Sequence, residues 1–467
     1  MSEWTISALA EAIRTRRISP VEITRACLER IERLDPQLKA FITVDAEGAM
    51  RAARAREADV AAGALRGPLH GVPLAYKDLC HVPGLPTTCG TLTREYFLGP
   101  RPCTAVSRLT AAGAITLGKL NMTELALGPF GENLHHGDPQ NPWARGHVSG
   151  GSSSGSGVAV AAGLALGALG SDTGGSVRLP AACCGIVGLK PTYGRVSRAG
   201  VMPLSWSLDH IGPMARTVRD AALLLGVIAG HDPEDATTSH RPVPDYVAGL
   251  DVPLGAVRLG VPENYYFDRL DGQVTRAVES AIRVLEGLGA KVTPVHVPDP
   301  EIVSGCSNVL ARSESAAIHV RVAKDRPHEL QETVRLRIEV GYHVSAYDYL
   351  QAQRLRARLA RELVADVFDK VDVLVVPTIP EPAPSYDAAK AGTAQERVQR
   401  MGRFSRLTRP FNGLGLPALS VPCGFSLDGR PLGLQIVGRP FAEARALRLG
   451  HAYEQAAGWT TRRPGAL

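Results

Sequence analysis

Two serine- and glycine-rich turns bring together the residue types that acyl transfer needs. The first is Gly150-Gly151-Ser152-Ser153-Ser154-Gly155-Ser156-Gly157. The second is Gly170-Ser171-Asp172-Thr173-Gly174-Gly175-Ser176-Val177-Arg178, and an apolar, small-residue run from Val158 to Leu169 separates the two. Glycine lets the backbone adopt positive φ and approach a ligand closely. Successive N–H groups in such turns form a concave nest for an anion. A serine inside that nest has an oxyanion hole beside it, and it then needs a base. Gly71-Val72-Pro73-Leu74-Ala75-Tyr76-Lys77-Asp78 offers Lys77 at the end of a short apolar, strand-like run.

Each of these residues has a plainer reading. The first turn has the composition of a flexible linker, but an apolar run follows it at once. A phosphate loop would need Gly-Lys-Ser/Thr after the glycines, and no lysine lies nearby. Gly151-Ser152-Ser153-Ser154-Gly155 matches the nucleophile-elbow pattern and makes Ser153 a rival nucleophile, although the polar segment 141–148 before it is unlike a buried strand. Ser176 also suits a helix N-cap. Lys77 on its own reads equally as a surface lysine, since it serves as a base only if burial lowers its pKa from about 10.4 towards neutrality.

The order and spacing of Lys77, Ser152 and Ser176 resemble the amidase signature family. So do the blocks Gly118-Lys119-Leu120-Asn121-Met122, Asn141-Pro142-Trp143, Gly188-Leu189-Lys190-Pro191-Thr192, Ser207 to Pro213, and Gly433 to Gly438. The resemblance implies one large α/β domain around a twisted mixed sheet with helices on both faces. It also implies a Ser-cisSer-Lys triad: Ser176 as nucleophile, Ser152 as bridging serine in a cis peptide with Gly151, and Lys77 as base. By the same resemblance the N–H groups of Thr173, Gly174, Gly175 and Ser176 form the oxyanion hole. Ser153, Ser171, Asp172 and Arg178 hold the turns and the lysine in place. The chain departs from the family pattern at Ser154, where a glycine is usual, and at Val148-Ser149, where a proline often precedes the turn.

Leu127, Gly128, Pro129 and Phe130 resemble, by position, the family segment lining the acyl side of the pocket, and none is charged. The expected reaction is therefore hydrolysis of a small uncharged acyl or aryl amide by a stand-alone amidase. Aryl carbamate hydrolysis is an alternative with the same triad. The first half also resembles the amidase subunit of the tRNA-dependent amidotransferase, whose usual blocks are not recognised in the second half, so a glutamine-hydrolysing subunit is a further alternative. A non-catalytic binding protein on the same fold is the reading from another class, and the intact triad weighs against it. His135-His136 do not sit at metal-ligand spacing from a second cluster, so no metal and no cofactor are expected. Asp209-His210 fall to a structural role by the family match.

The composition fits a globular enzyme: 45% of the 467 residues are hydrophobic, and the net charge is only +6. Without a long basic run, no nucleic-acid partner is implied. The longest apolar run is too short and glycine-rich to span a bilayer, the N-terminus lacks a signal-peptide pattern, and the eight cysteines are sparse, which together predict a cytoplasmic chain with reduced thiols. A small-molecule amide or carbamate is the expected partner, with a homodimer left open. Residues 1–66 read as a helical lead packed on the core, and residues 67–467 as the α/β core with a helical section near 301–370. Ser19-Pro20-Val21-Glu22 predicts a capped helix ending before Pro36. Segments 257–261, 273–288 and 291–297 predict a parallel β-α-β unit. Asp428-Gly429 predicts a hairpin turn, and 380–399 an exposed loop or lid.

Overall fold

The computed structural model describes residues 4–465. The first three residues, on which the reading of the N-terminus partly rests, lie outside that range. Eleven strands form one mixed sheet in the order β1-β3-β2-β4-β6-β5-β10-β11-β9-β7-β8. They are β1 (Phe41–Val44), β2 (Pro73–Lys77), β3 (Ile115–Leu120), β4 (Gly167–Ser171), β5 (Val187–Lys190), β6 (Ile211–Ala215), β7 (Arg258–Pro262), β8 (Lys291–Val295), β9 (Val373–Pro377), β10 (Ala418–Phe425) and β11 (Pro431–Gly438). Helices α1 (Ile6–Arg14), α2 (Pro20–Leu38), α3 (Ala46–Ala61) and α4 (Thr104–Ala111) precede the two serine turns. The short α5 (Ser154–Ala161) and α6 (Arg178–Cys184) follow those turns directly. The remaining helices are α7 (Val218–Ile228), α8 (Gly272–Gly287), α9 (Pro300–Asp325), α10 (Glu332–Glu339), α11 (Ala346–Glu362), α12 (Tyr386–Lys390), α13 (Ala394–Phe404), α14 (Arg409–Gly413) and α15 (Glu443–Ala457).

The single α/β domain with a large mixed sheet agrees with the expected fold class. The predicted β-α-β unit is β7-α8-β8, with its strands parallel, and the hairpin is β10-β11. Three local expectations need correction. The lead is not purely helical, because β1 pairs antiparallel with β3 and closes one edge of the sheet. Helix α2 continues through Pro36 to Leu38 and the chain leaves it at Lys39, in the left-handed region; Pro36 has no N–H to give to the Glu32 carbonyl, so the helix carries one missing bond in its last turn rather than stopping before it. The segment 380–399 is not a loop or lid, because α12 and the start of α13 form there and Tyr386 is buried with its hydroxyl on the Pro139 carbonyl.

Strands β3, β2 and β4 are parallel neighbours, the second to fourth strands from the β1 edge of the sheet. Lys77 ends β2 and Ser171 ends β4, so both lie at the carboxyl ends of adjacent parallel strands. Open α/β sheets build their sites at that edge. Strand β4 then meets β6 antiparallel, with Ser171 opposite Ile211. Its sequence, Gly-Ala-Leu-Gly-Ser, is small because its surroundings are tight: a Cβ on Gly170 would lie 2.7 Å from Ser153 Oγ.

Candidate active site

The apolar run between the turns folds as α5 followed by β4, a strand entirely buried. This geometry folds the second turn back against the first. The Ser153 N–H donates to the Ser176 carbonyl at 3.2 Å, which ties the two turns together. The Gly151–Ser152 peptide is cis, as the resemblance implied. Lys77 Nζ donates to Ser152 Oγ at 2.7 Å and to Ser171 Oγ at 2.9 Å, and its side chain is wholly buried. Burial strips water from the ammonium and lowers the Lys77 pKa to about 7, although Cys80, Asp172 and Asp209 pull the other way. A lysine at that value is half neutral near physiological pH, as a general base must be.

Ser176 opens onto a cleft of roughly 550 Å³, counting its mouth, whose wall includes Thr173 and Gly174. Its hydroxyl makes no hydrogen bond among the described residues and is available to a ligand. Ser153, the rival nucleophile, is fully buried: its Oγ donates to the Ser171 carbonyl and accepts the Ser171 N–H, both at 3.2 Å. It clamps the end of β4 and has no access to substrate.

The N–H groups of Thr173, Gly174 and Ser176 find no acceptor among the described residues. Gly175 departs from expectation, since its N–H donates to Asp172 Oδ1 at 2.7 Å and is not free for an oxyanion. A glycine is required there all the same. Its φ is +134°, and a Cβ would fall 2.3 Å from Thr408 Oγ1.

Asp172 organises this turn from below. Its carboxylate also accepts the Val177 N–H at 3.1 Å, Arg178 Nε at 3.0 Å, Arg178 Nη2 at 2.9 Å and Asn412 Nδ2 at 2.8 Å. Burial alone would raise its pKa, but the Arg178 guanidinium and these hydrogen bonds hold it well below the usual carboxylate range. Arg178 is fully buried and extends the lattice to the Thr408 carbonyl at 2.9 Å, Gln435 Oε1 at 2.5 Å and Asn412 Oδ1 at 2.6 Å. The second turn is thereby fastened to α14 and β11. Asp209 accepts Thr173 Oγ1–H at 2.5 Å together with the Leu204 and Ser205 N–H groups. His210 is hydrogen-bonded to the Leu208 carbonyl at 2.7 Å, and desolvation lowers its pKa well below the usual imidazole range. Both residues act as supports of the turn. Sequence reasoning missed Asn412 and Thr408, which lie more than two hundred residues downstream and carry no motif of their own.

The structure separates the four expected pocket residues. Leu127, Gly128 and Pro129 line the cleft, whereas Phe130 is fully buried against Phe404 with ring centroids 5.2 Å apart. The cleft is also not purely apolar. Ser307, Asn308 and Arg337 from the predicted helical section reach it, as does Arg409 at the start of α14. The uncharged-substrate expectation rested on Leu127–Phe130 alone and loses its basis. His135 Nε2 lies 2.7 Å from Glu124 Oε1 and His136 Nε2 lies 2.9 Å from the Thr91 carbonyl, so both rings have structural partners. Among the described residues no group of three metal-ligating side chains forms, and no helix is long and apolar enough to cross a membrane.

Comparison with known proteins identifies the family. The amidase family profile matches residues 22–447. A glutamyl-tRNA(Gln) amidotransferase subunit of Geobacter metallireducens is 40% identical, over 99% of both chains. That similarity runs through the second half as well, which corrects the expectation that only the first half resembles such a protein. Among solved structures, one described with the evolutionary origins of an s-triazine catabolic enzyme superimposes with a TM-score of 0.89 at 33% identity, covering 97% of this chain and 98% of the other. Native peptide amidase from Stenotrophomonas maltophilia superimposes with a TM-score of 0.85 at 32% identity, covering 99% of this chain and 98% of the other.

Proposed function

The chain belongs to the amidase family, and from that premise we propose that it hydrolyses a linear amide through an acyl-enzyme on Ser176. The observation that carries this reading is the buried Lys77, lowered to about pH 7 and bonded to Ser152 beside the cleft that Ser176 lines. Neutral Lys77 accepts the Ser152 proton as Ser152 takes that of Ser176. Ser176 Oγ then bonds to the carbonyl carbon. The negative charge that develops on the carbonyl oxygen meets the free N–H groups of Thr173, Gly174 and Ser176, donors of the kind whose removal costs about 10²–10³ in rate. When the C–N bond breaks, the proton held by Lys77 passes back through Ser152 to the leaving amine. Water, deprotonated by the same relay, hydrolyses the ester and restores Ser176.

A panel of amides, anilides and carbamates offered to the purified chain tests this reading through release of the amine. Turnover by the wild type and its loss in Ser176→Ala support it; full activity in that variant would refute it. A second reading, the glutamine-hydrolysing subunit of an amidotransferase, is favoured by the 40% identity across the whole chain to relatives of that name. Turnover confined to glutamine, and appearing only with a partner protein, would establish that reading instead.

A further inference from the structure

The cleft beside Ser176 has a charge pattern that the reaction itself does not require. Arg337 of α10 and Arg409 of α14 line it together, and Arg312 of α9 stands further out along the same groove. Arg409 lies against the oxyanion turn: a Cβ on Gly174 would sit 3.9 Å from its Nε. Both inner arginines are half-buried, yet their hydrogen bonding is sparse. Arg409 Nη2 donates to Ser405 Oγ at 2.6 Å, and Arg337 Nη1 only approaches the Met401 sulfur at 3.9 Å.

The carboxylates of α10 are already taken by other arginines. Glu339 pairs with Arg335 at 2.8 Å and Glu332 with Arg397 at 2.9 Å. Among the described residues no carboxylate comes within 4.0 Å of Arg337 or Arg409. Desolvation, followed by repulsion from Arg409 and Arg312, lowers Arg337 to about 10; Glu132 is the acid whose field opposes this. Glu132 is buried outside the cleft, and desolvation raises its own pKa to about 7. Among the described residues no aspartate or glutamate lines the groove.

Unpaired guanidinium groups in a shielded cleft are costly and call for an anion. A planar fork of N–H donors suits a carboxylate in particular. An ammonium group in the same cleft would meet only repulsion and no acceptor of opposite charge. Resting on the reading of Ser176 as the acylated residue, we propose that the substrate is an amide whose own skeleton carries a carboxylate and no ammonium group, with Arg337 and Arg409 binding the carboxylate. The leading class is the monoamide of a short dicarboxylic acid. An N-acyl amino acid would bring the same group from the leaving side. Glutamine, a zwitterion, is disfavoured.

The test compares kcat/KM for succinamate and glutaramate with their uncharged isosteres butyramide and valeramide, with N-acetylglycine against N-methylacetamide, and with glutamine. The expected result is at least tenfold preference for the anionic member of one pair, with glutamine below it. The pair that shows the preference identifies the side on which the carboxylate lies. In Arg337→Gln and Arg409→Gln the ratio of anionic to uncharged kcat/KM falls at least tenfold. An uncharged amide or glutamine as the best substrate, or a ratio unmoved in both variants, overturns the proposal while leaving the serine chemistry intact. A binding measurement free of turnover accompanies it: calorimetric titration of glutarate into the Ser176→Ala protein. Saturable binding, weakened at least tenfold by adding either arginine substitution, supports the proposal. Absent binding, or binding indifferent to both arginines, contradicts it. Failure of the catalytic reading shows differently, as no amide turnover and no acylation of Ser176 even when glutarate binds.

Discussion

Lys77 carries the clearest consequence for measurement. Its buried ammonium loses its proton near pH 7, well below the 10.5 of an exposed lysine. The acylation rate, read as kcat/KM, therefore climbs from about pH 6 and levels off above about pH 8, following the neutral fraction of one group. A profile flat across that interval would remove Lys77 as the base. The same shift has a sign for stability. Between about pH 7 and 10.5 the unfolded chain holds this proton and the folded chain does not, so the contribution of Lys77 to stability improves as pH rises through that window. The two candidate nucleophiles separate cleanly too. Ser176→Ala lowers kcat by about 10³-fold or more, as the loss of a triad member does, while Ser153→Ala, which removes a clamp on β4, leaves the acyl-enzyme chemistry in place and lowers thermal stability. Loss of acylation in Ser153→Ala with Ser176→Ala still active would reverse the assignment. These residues were legible because serines among glycines carry a local pattern. Lys77 was legible only through its spacing to them. The unpaired Arg337 and Arg409 carried no local signal, since an arginine in a helix reads as solvated until the tertiary fold covers it.

Among the elements, the short α6 couples the second serine-glycine turn to the rest of the sheet. Arg178 opens it, and its guanidinium joins Asp172 to α14 and β11. Arg178→Ala would leave the Asp172 carboxylate buried and without its main partner, a change that costs about 3–5 kcal/mol in comparable buried pairs. Urea denaturation of the variant gives the check; a loss below about 1 kcal/mol, the usual worth of an exposed pair, would mean that Asn412 and the backbone N–H groups suffice to hold Asp172. Helices with caps and strands in the β-α-β unit were readable before the structure. The central strands β4, β5 and β6 were not. Strand β4 is five residues of glycine, alanine, leucine and serine, which have weak strand preference. Strand β6 contains Pro213, a residue that argues against a central strand, yet it pairs there opposite Leu169. Both sequences answer to close tertiary approach: a Cβ on Gly212 would lie 2.1 Å from the Leu189 carbonyl oxygen, and one on Gly170 would crowd Ser153. Such demands leave no period in the chain to be read.

For the molecule as a whole, the fold brings Ser176, Arg337 and Arg409 to one cleft and buries Lys77 against Ser152, so on the proposed reading the isolated chain already holds every group the reaction needs. We therefore expect the purified chain to hydrolyse its amide without a second protein, with kcat unchanged across roughly a hundredfold range of enzyme concentration, because nothing in that set is left for mass action to supply. Activity that appears only on adding a second protein would place the chain with its amidotransferase relatives. The fold class was legible because the family blocks run along most of the chain, whereas substrate charge was not, because it is set by residues from separate helices that meet only after folding. The central claim, that one serine carries the acyl group, is tested most directly by stopping the reaction with acid during turnover of a slow activated amide or ester and mapping the adduct by peptide mass spectrometry. The account predicts the acyl mass on Ser176, absent from Ser176→Ala and from enzyme quenched before substrate is added. The same mass on Ser153, or turnover with no covalent adduct at any time point, would contradict it.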